Sequence, residues 1–126
     1  MDLSLLTISS NSSIREALAC INKNSKGIAM IIDERGHLLA TITDGDIRRA
    51  ILGGKTADDG IQTVFSKGVD GKIVKPITAS QGISQAEILA IMTEKGIRQL
   101  PLINSEQAVV DVAFLQNILQ KGISPV

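Results

Sequence analysis

The stretch that decides the architecture runs from Ser13 to Leu52 and reads SIREALACINKNSKGIAMIIDERGHLLATITDGDIRRAIL. It opens on Ser13-Ile14-Arg15-Glu16, an S-x-x-E capping box in which serine and glutamate satisfy free N–H groups of a starting helix. Ile14, Ala17, Leu18 and Ile21 then recur at helical spacing, and Asn22–Lys26 ends the helix. Ile28–Ile32 is an apolar run too short for a helix and suited to a buried strand. Asp33-Glu34-Arg35-Gly36 reads as a turn and Leu38–Ile42 as the returning strand. A second helix over Asp46–Leu52 places Ile47, Ala50 and Ile51 on one face and stops at Gly53-Gly54.

The same order returns at an offset of 71 residues, where Ser13–Leu52 aligns with Ser84–Ile123 without a gap. Ser13/Ser84, Glu16/Glu87, Leu18/Leu89, Ala19/Ala90, Ile32/Ile103 and Ile47/Ile118 are identical. The second unit has its own S-x-x-E box at Ser84–Glu87, helical apolar positions Ile88, Ile91 and Met92, and a helix end at Thr93–Gly96. Its strand runs are Leu100–Ile103 and Val109–Ala113. A short extended piece precedes each unit, at Leu5–Ser9 and Val74–Thr78. The fold class is therefore α/β (α+β): two βαββα repeats, residues 1–60 and 61–126, expected to pack sheet to sheet with pseudo-twofold symmetry. One unit of about 60 residues is marginal for burying a core, which is a physical reason for a pair.

Composition removes many functions. The 126 residues carry 13 basic and 13 acidic side chains, and two phenylalanines are the only aromatics, so the core is aliphatic. Zero net charge and few rings argue against nucleic acid. One cysteine (Cys20, read as a small core residue) and one histidine (His37, read as exposed) supply neither a zinc site nor a disulfide framework. No apolar run approaches the roughly 20 residues of a membrane span, and the start lacks a signal peptide's basic region, so the expected compartment is cytoplasmic. Gly53-Gly54-Lys55-Thr56 lacks the earlier glycine and the preceding strand of a P-loop, and reads as a helix stop.

The sharpest local motif is Thr41-Ile42-Thr43-Asp44-Gly45-Asp46-Ile47-Arg48-Arg49. A helix beginning at Thr43 offers free N–H donors and positive potential to a phosphate. The Thr43 hydroxyl adds a hydrogen bond, Asp46 can accept both hydroxyls of a ribose, and Gly45 permits close approach to the backbone. The same residues have a ligand-free explanation. Thr43-x-x-Asp46 is nearly a capping box, and Asp44/Arg48 and Asp46/Arg49 are ordinary helix pairs. Both explanations stand at this level.

The unit resembles the cystathionine β-synthase (CBS) domain, and the pair resembles a Bateman module, over about Leu3–Lys121. In that family a strand ends in Gly-h-h-Thr-x-x-Asp (h, apolar), with phosphate on the Thr and ribose on the Asp. Ala40-Thr41-Ile42-Thr43-Asp44-Gly45-Asp46 matches at Thr43 and Asp46, with Ala40 replacing the glycine. The resemblance implies an adenine cradle at Thr7, Ile8 and Ser9 and at Gly27, Ile28, Ala29 and Met30. In the second unit Phe114 and Asn117 stand at the matching positions, which suits at most one competent site. Arg98, beside a strand similar to the family's, is read either as reaching the cleft or as solvated.

The implied function is a regulatory module without catalysis, sensing an adenosine nucleotide (AMP, ADP or ATP) or a nucleotide-sugar. A magnesium ion riding on bound phosphates is the one metal this leaves room for. The segment Thr43–Ala50 is similar to pairs attached to sugar-1-phosphate nucleotidyltransferases, which implies a catalytic domain C-terminal to Val126, and also to pairs that follow a sugar-phosphate isomerase domain. A partner module across a homodimer is expected. Alternatives are a ligand-free dimerisation module and the regulatory tail of a sugar-phosphate isomerase, as in arabinose 5-phosphate isomerases.

Overall fold

Both capping serines start helices where the spacing places them. The structure is a computed structural model that describes residues 2–65 and 76–123. The chain divides into two compact units, Met1–Pro76 and Ile77–Val126. In the first, a 3-10 turn (Leu3–Leu5) leads into β1 (Thr7–Ser9), α1 (Ile14–Asn24), β2 (Ile28–Ile32), β3 (Leu38–Thr43), α2 (Asp44–Leu52) and a one-turn α3 (Gln62–Phe65). The second contains β4 (Ala79–Ser80), α4 (Gln85–Lys95), β5 (Gln99–Ile103), β6 (Val109–Phe114) and α5 (Leu115–Ile123). Each unit has one three-stranded sheet, ordered β1-β2-β3 and β4-β5-β6, with a parallel first pair and an antiparallel second pair.

The repeat is written into the backbone at the offset of the sequence. Ile28 pairs with Thr43 and Gln99 with Phe114, and the register shifts at Ile31/Ile32 and at Leu102/Ile103. Positive φ recurs at Ser25 and Gly96, which cap α1 and α4, and at Gly36 and Gln107 in the turns between strands. Those turns are built alike. The Asp33 carboxylate accepts the N–H groups of Arg35 and His37, and the Asn104 side-chain Oδ1 accepts those of Glu106 and Ala108.

Side chains alternate across each sheet. In the first unit Ile8, Ala29, Ile31, Ala40 and Ile42 face the layer of α1 and α2, packing with Ile14, Ala17, Ile21 and Ile47. The second unit's core is built on Ile88, Met92, Leu100 and Leu102.

Several expectations need correction. Ile61 is fully buried in the first unit's core, with Val64 and Phe65 against it, so this segment packs with the first unit rather than opening the second. The backbone fixes it there: Ile14 and Arg15 N–H donate to Asp59 and Ala57 C=O, and Ile61 N–H to Ser12 C=O. The second unit's extended piece is Ala79–Ser80 and not Val74–Thr78, of which residues 74 and 75 lie outside the described residues. Leu5 belongs to the 3-10 turn rather than to a strand. The helix read as Asp46–Leu52 starts at Asp44, because Thr43 is already its N-cap. Leu18 and Ile51 are exposed, so the buried stripes are narrower than the apolar periodicity suggests. His37 is half-buried, with Nδ1 lying 3.5 Å from Asp33. Among the described residues no helix is long and apolar enough to cross a membrane.

Candidate functional site

The start of α2 sits against the start of β2. Asp44 N–H reaches the Gly27 carbonyl at 3.4 Å, and Thr43 lies opposite Ile28 in the sheet. Gly27 holds φ +76° at the entry to the strand, where a side chain is strained. Four of the expected residues, Gly27, Ile28, Thr43 and Asp44, are therefore neighbours.

Thr43 and Asp46 form a complete reciprocal box. Thr43 Oγ1 accepts from Asp46 N–H at 3.2 Å, and Asp46 Oδ2 accepts from Thr43 N–H at 2.9 Å. Asp46 Oδ1 in turn accepts from Arg49 at 2.7 Å, and Asp44 pairs with Arg48 at 3.0 Å. The ligand-free explanation of the motif is thus realised in full. It still leaves the Gly45 N–H, for which the described residues supply no partner, pointing from a helix start as an anion would need.

The adenine-cradle residues divide by face. Thr7, Met30 and Thr41 form one row across the sheet, and Ser9, Ile28 and Thr43 share their face. Ile8 and Ala29 point the other way into the core, so they can offer a ligand only backbone groups. Ser9 lies at the opposite end of the strands from Thr43, about 13 Å away along β2. At that far end a cleft of about 590 Å³ is lined by Thr7, Ile8, Ser9, Asn11, Asp33 and His37, among others. A second cleft of about 350 Å³ runs beside α2, bordered by Asp46, Arg49, Gly53, Lys55 and Thr63. Arg98 belongs to the second unit and is exposed just before β5, with its carbonyl accepting from Leu115 N–H. Among the described residues no cluster of three or more His, Cys, Asp or Glu side chains could hold a metal ion.

One positioning residue escapes motif reading. Asn24 is only 5% exposed at the end of α1. Its Nδ2 donates to the carbonyls of Leu5 and Ile28 at 3.1 and 3.0 Å, and its Oδ1 accepts from Lys26 N–H at 2.7 Å. It ties the entry of β1 to the entry of β2, and so places Gly27 and Ile28. A polar residue ending an amphipathic helix one turn before a buried strand was the available signal. Cys20, beside it, is half-buried and donates to the Leu5 carbonyl. Burial pushes its thiol pKa up, with the Asn24 hydrogen bond opposing.

The second unit lacks this chemistry. Phe114 occupies the place of Thr43 in the register, and Asn117 is exposed on α5, whose first turn holds no acidic residue.

Comparison with known proteins agrees with this fold. The CBS domain family model matches residues 1–53. An arabinose 5-phosphate isomerase from Pseudomonas aeruginosa is 28% identical over 88% of the chain, which covers 32% of that protein. The chain spans about a third of the length of the curated relatives it matches first. A CBS domain pair solved with 5′-methylthioadenosine and S-adenosyl-L-methionine superposes with a TM-score of 0.74 at 22% identity, covering 94% of this chain and 91% of that one. A CBS domain protein from Pyrobaculum aerophilum complexed with AMP gives 0.74 at 19% identity, covering 92% and 88%. The CBS domain model thus matches the first unit at residues 1–53, and the chain as a whole has the fold of a CBS domain pair.

Proposed function

We propose that the chain is a sensor of adenosine ligands with one competent site, built on the first unit. The phosphate or its equivalent meets Gly45 N–H and the Thr43 hydroxyl, and the ribose diol meets Asp46. Gly27–Ile28 lies beside that helix start and supplies the adenine side of the pocket. The observation that carries the reading is the juxtaposition of a helix start having an open N–H with the glycine-led entry of β2. Solved CBS proteins of the same fold that hold AMP, or 5′-methylthioadenosine and S-adenosyl-L-methionine, support the ligand class.

The isomerase relatives favour a sugar-phosphate isomerase as the tethered enzyme over the nucleotidyltransferase arrangement. Ligand binding would regulate that enzyme only if one packing state of the module binds better than another.

Thermal melting with AMP, ATP, 5′-methylthioadenosine and S-adenosyl-L-methionine tests the proposal. A ligand at a hundredfold excess over Kd adds about 2.7 kcal/mol and raises Tm by several degrees. Asp46→Asn keeps an acceptor for Thr43 N–H but is a poorer diol acceptor, and should remove the rise; Asn117→Ala should leave it intact. If none of the four ligands moves the wild-type Tm, the module serves dimerisation or protein contact instead.

A further inference from the structure

We infer that Arg49 sets the charge of the ligand this site accepts, covering the Asp46 carboxylate in the free chain and standing over the first turn of α2 when a ligand displaces it. The inference rests on the reading that Asp46 takes the ribose.

Three observations carry it. Arg49 Nη2 holds Asp46 Oδ1 at 2.7 Å, while Oδ2 is committed to Thr43 N–H. An incoming diol therefore competes with the guanidinium and leaves the capping box in place. Second, a Cβ on Gly45 would lie 3.3 Å from Arg49 Nη1 and 3.7 Å from Nη2. The guanidinium is folded back over the residue whose N–H awaits an anion, close enough that a side chain there would push on it. Third, the cleft of about 350 Å³ bordered by Asp46, Arg49, Gly53, Lys55 and Thr63 gives the guanidinium room to swing without repacking.

Charge then decides selectivity. Asp44 with Arg48 and Asp46 with Arg49 leave the start of α2 neutral, so a phosphate meets no net repulsion. Loss of Arg49 leaves one excess negative charge beside the phosphate position. The pair is solvated, with Arg49 71% and Asp46 36% exposed, so displacing it weakens binding by less than about fivefold. The freed cation returns more than that to an anionic ligand and nothing to an uncharged one. The site is thus matched to a nucleoside monophosphate rather than to a cationic sulfonium nucleoside.

Calorimetric titration of AMP, 5′-methylthioadenosine and S-adenosyl-L-methionine into wild type, Arg49→Gln, Arg49→Lys and Asp46→Asn tests this. Arg49→Gln should weaken AMP about tenfold and strengthen uncharged 5′-methylthioadenosine up to about fivefold, while Arg49→Lys restores AMP. If Arg49→Gln changes all three ligands by one common factor, or none, the charge role falls even where Asp46→Asn still abolishes binding. If Asp46→Asn leaves every Kd unchanged, or no ligand binds wild type, the ribose reading and this inference fall together.

Discussion

The two units share a backbone and differ in three side chains that matter. At the offset of 71 residues, Asn24 faces Lys95, Thr43 faces Phe114, and Asp46 faces Asn117. The left-handed caps, the Asx-type turns, the register shift and the latch onto α2 or α5 all persist. Asp44 N–H reaches Gly27 C=O in one unit, and Leu115 N–H reaches Arg98 C=O in the other. The strand-to-helix corner is therefore held by its backbone, and its cap is an addition. The difference teaches that architecture and ligand chemistry are separable here: Phe114 removes the second and keeps the first.

The largest expected effect tests Asn24 against Lys95. Asn24→Ala removes the Nδ2 donations to the Leu5 and Ile28 carbonyls and the Oδ1 acceptor of Lys26 N–H, costing about 2–3 kcal/mol. Lys95→Ala, at an exposed helix end, should stay within about 0.5 kcal/mol. Urea unfolding of both variants checks the contrast, and equal losses would show that the units depend on the paired position alike. Next comes the transplanted corner. Thr43→Ala should destabilise by about 1 kcal/mol through loss of the cap. Phe114→Thr with Asn117→Asp should give α5 a box of its own, seen as slower amide exchange in its first turn.

Much of this was legible in the residues. The capping serines, the strand runs within a residue of their observed limits, and the corner at Thr43 all follow from local chemistry that neighbours cannot easily override. Burial was less legible because it depends on what lies opposite. Leu18 and Ile51 satisfy a helical stripe yet are exposed, and nothing local to the short amphipathic segment at Ile61–Phe65 tells which unit's core it joins. Site residues were legible as positions but not as orientations. Thr7, Ile8 and Ser9 are consecutive, and a strand must send the middle one to the other face. The partner of Asp46 was visible as an i,i+3 pair, whereas the folding of Arg49 over Gly45 needed coordinates.

The smallest effect separates the two turns by pH. Asp33 and Asn104 each accept two backbone N–H groups, but only Asp33 titrates. Desolvation alone would raise its pKa; the N–H donors of His37 and Arg35 and their positive charges outweigh it and hold the carboxyl below its ordinary 3.8. A depressed folded pKa means that the stabilisation is present above the unfolded value and is lost as pH falls through the folded one. Below pH 3.8 the Arg35 and His37 amides should therefore shift and exchange faster than those of Glu106 and Ala108, which keep a neutral acceptor throughout. Two-dimensional amide spectra across that range read the difference directly. Asp33→Asn should make the first turn as indifferent to acid as the second; a persisting difference in that variant would trace the acid response to some group other than this carboxylate.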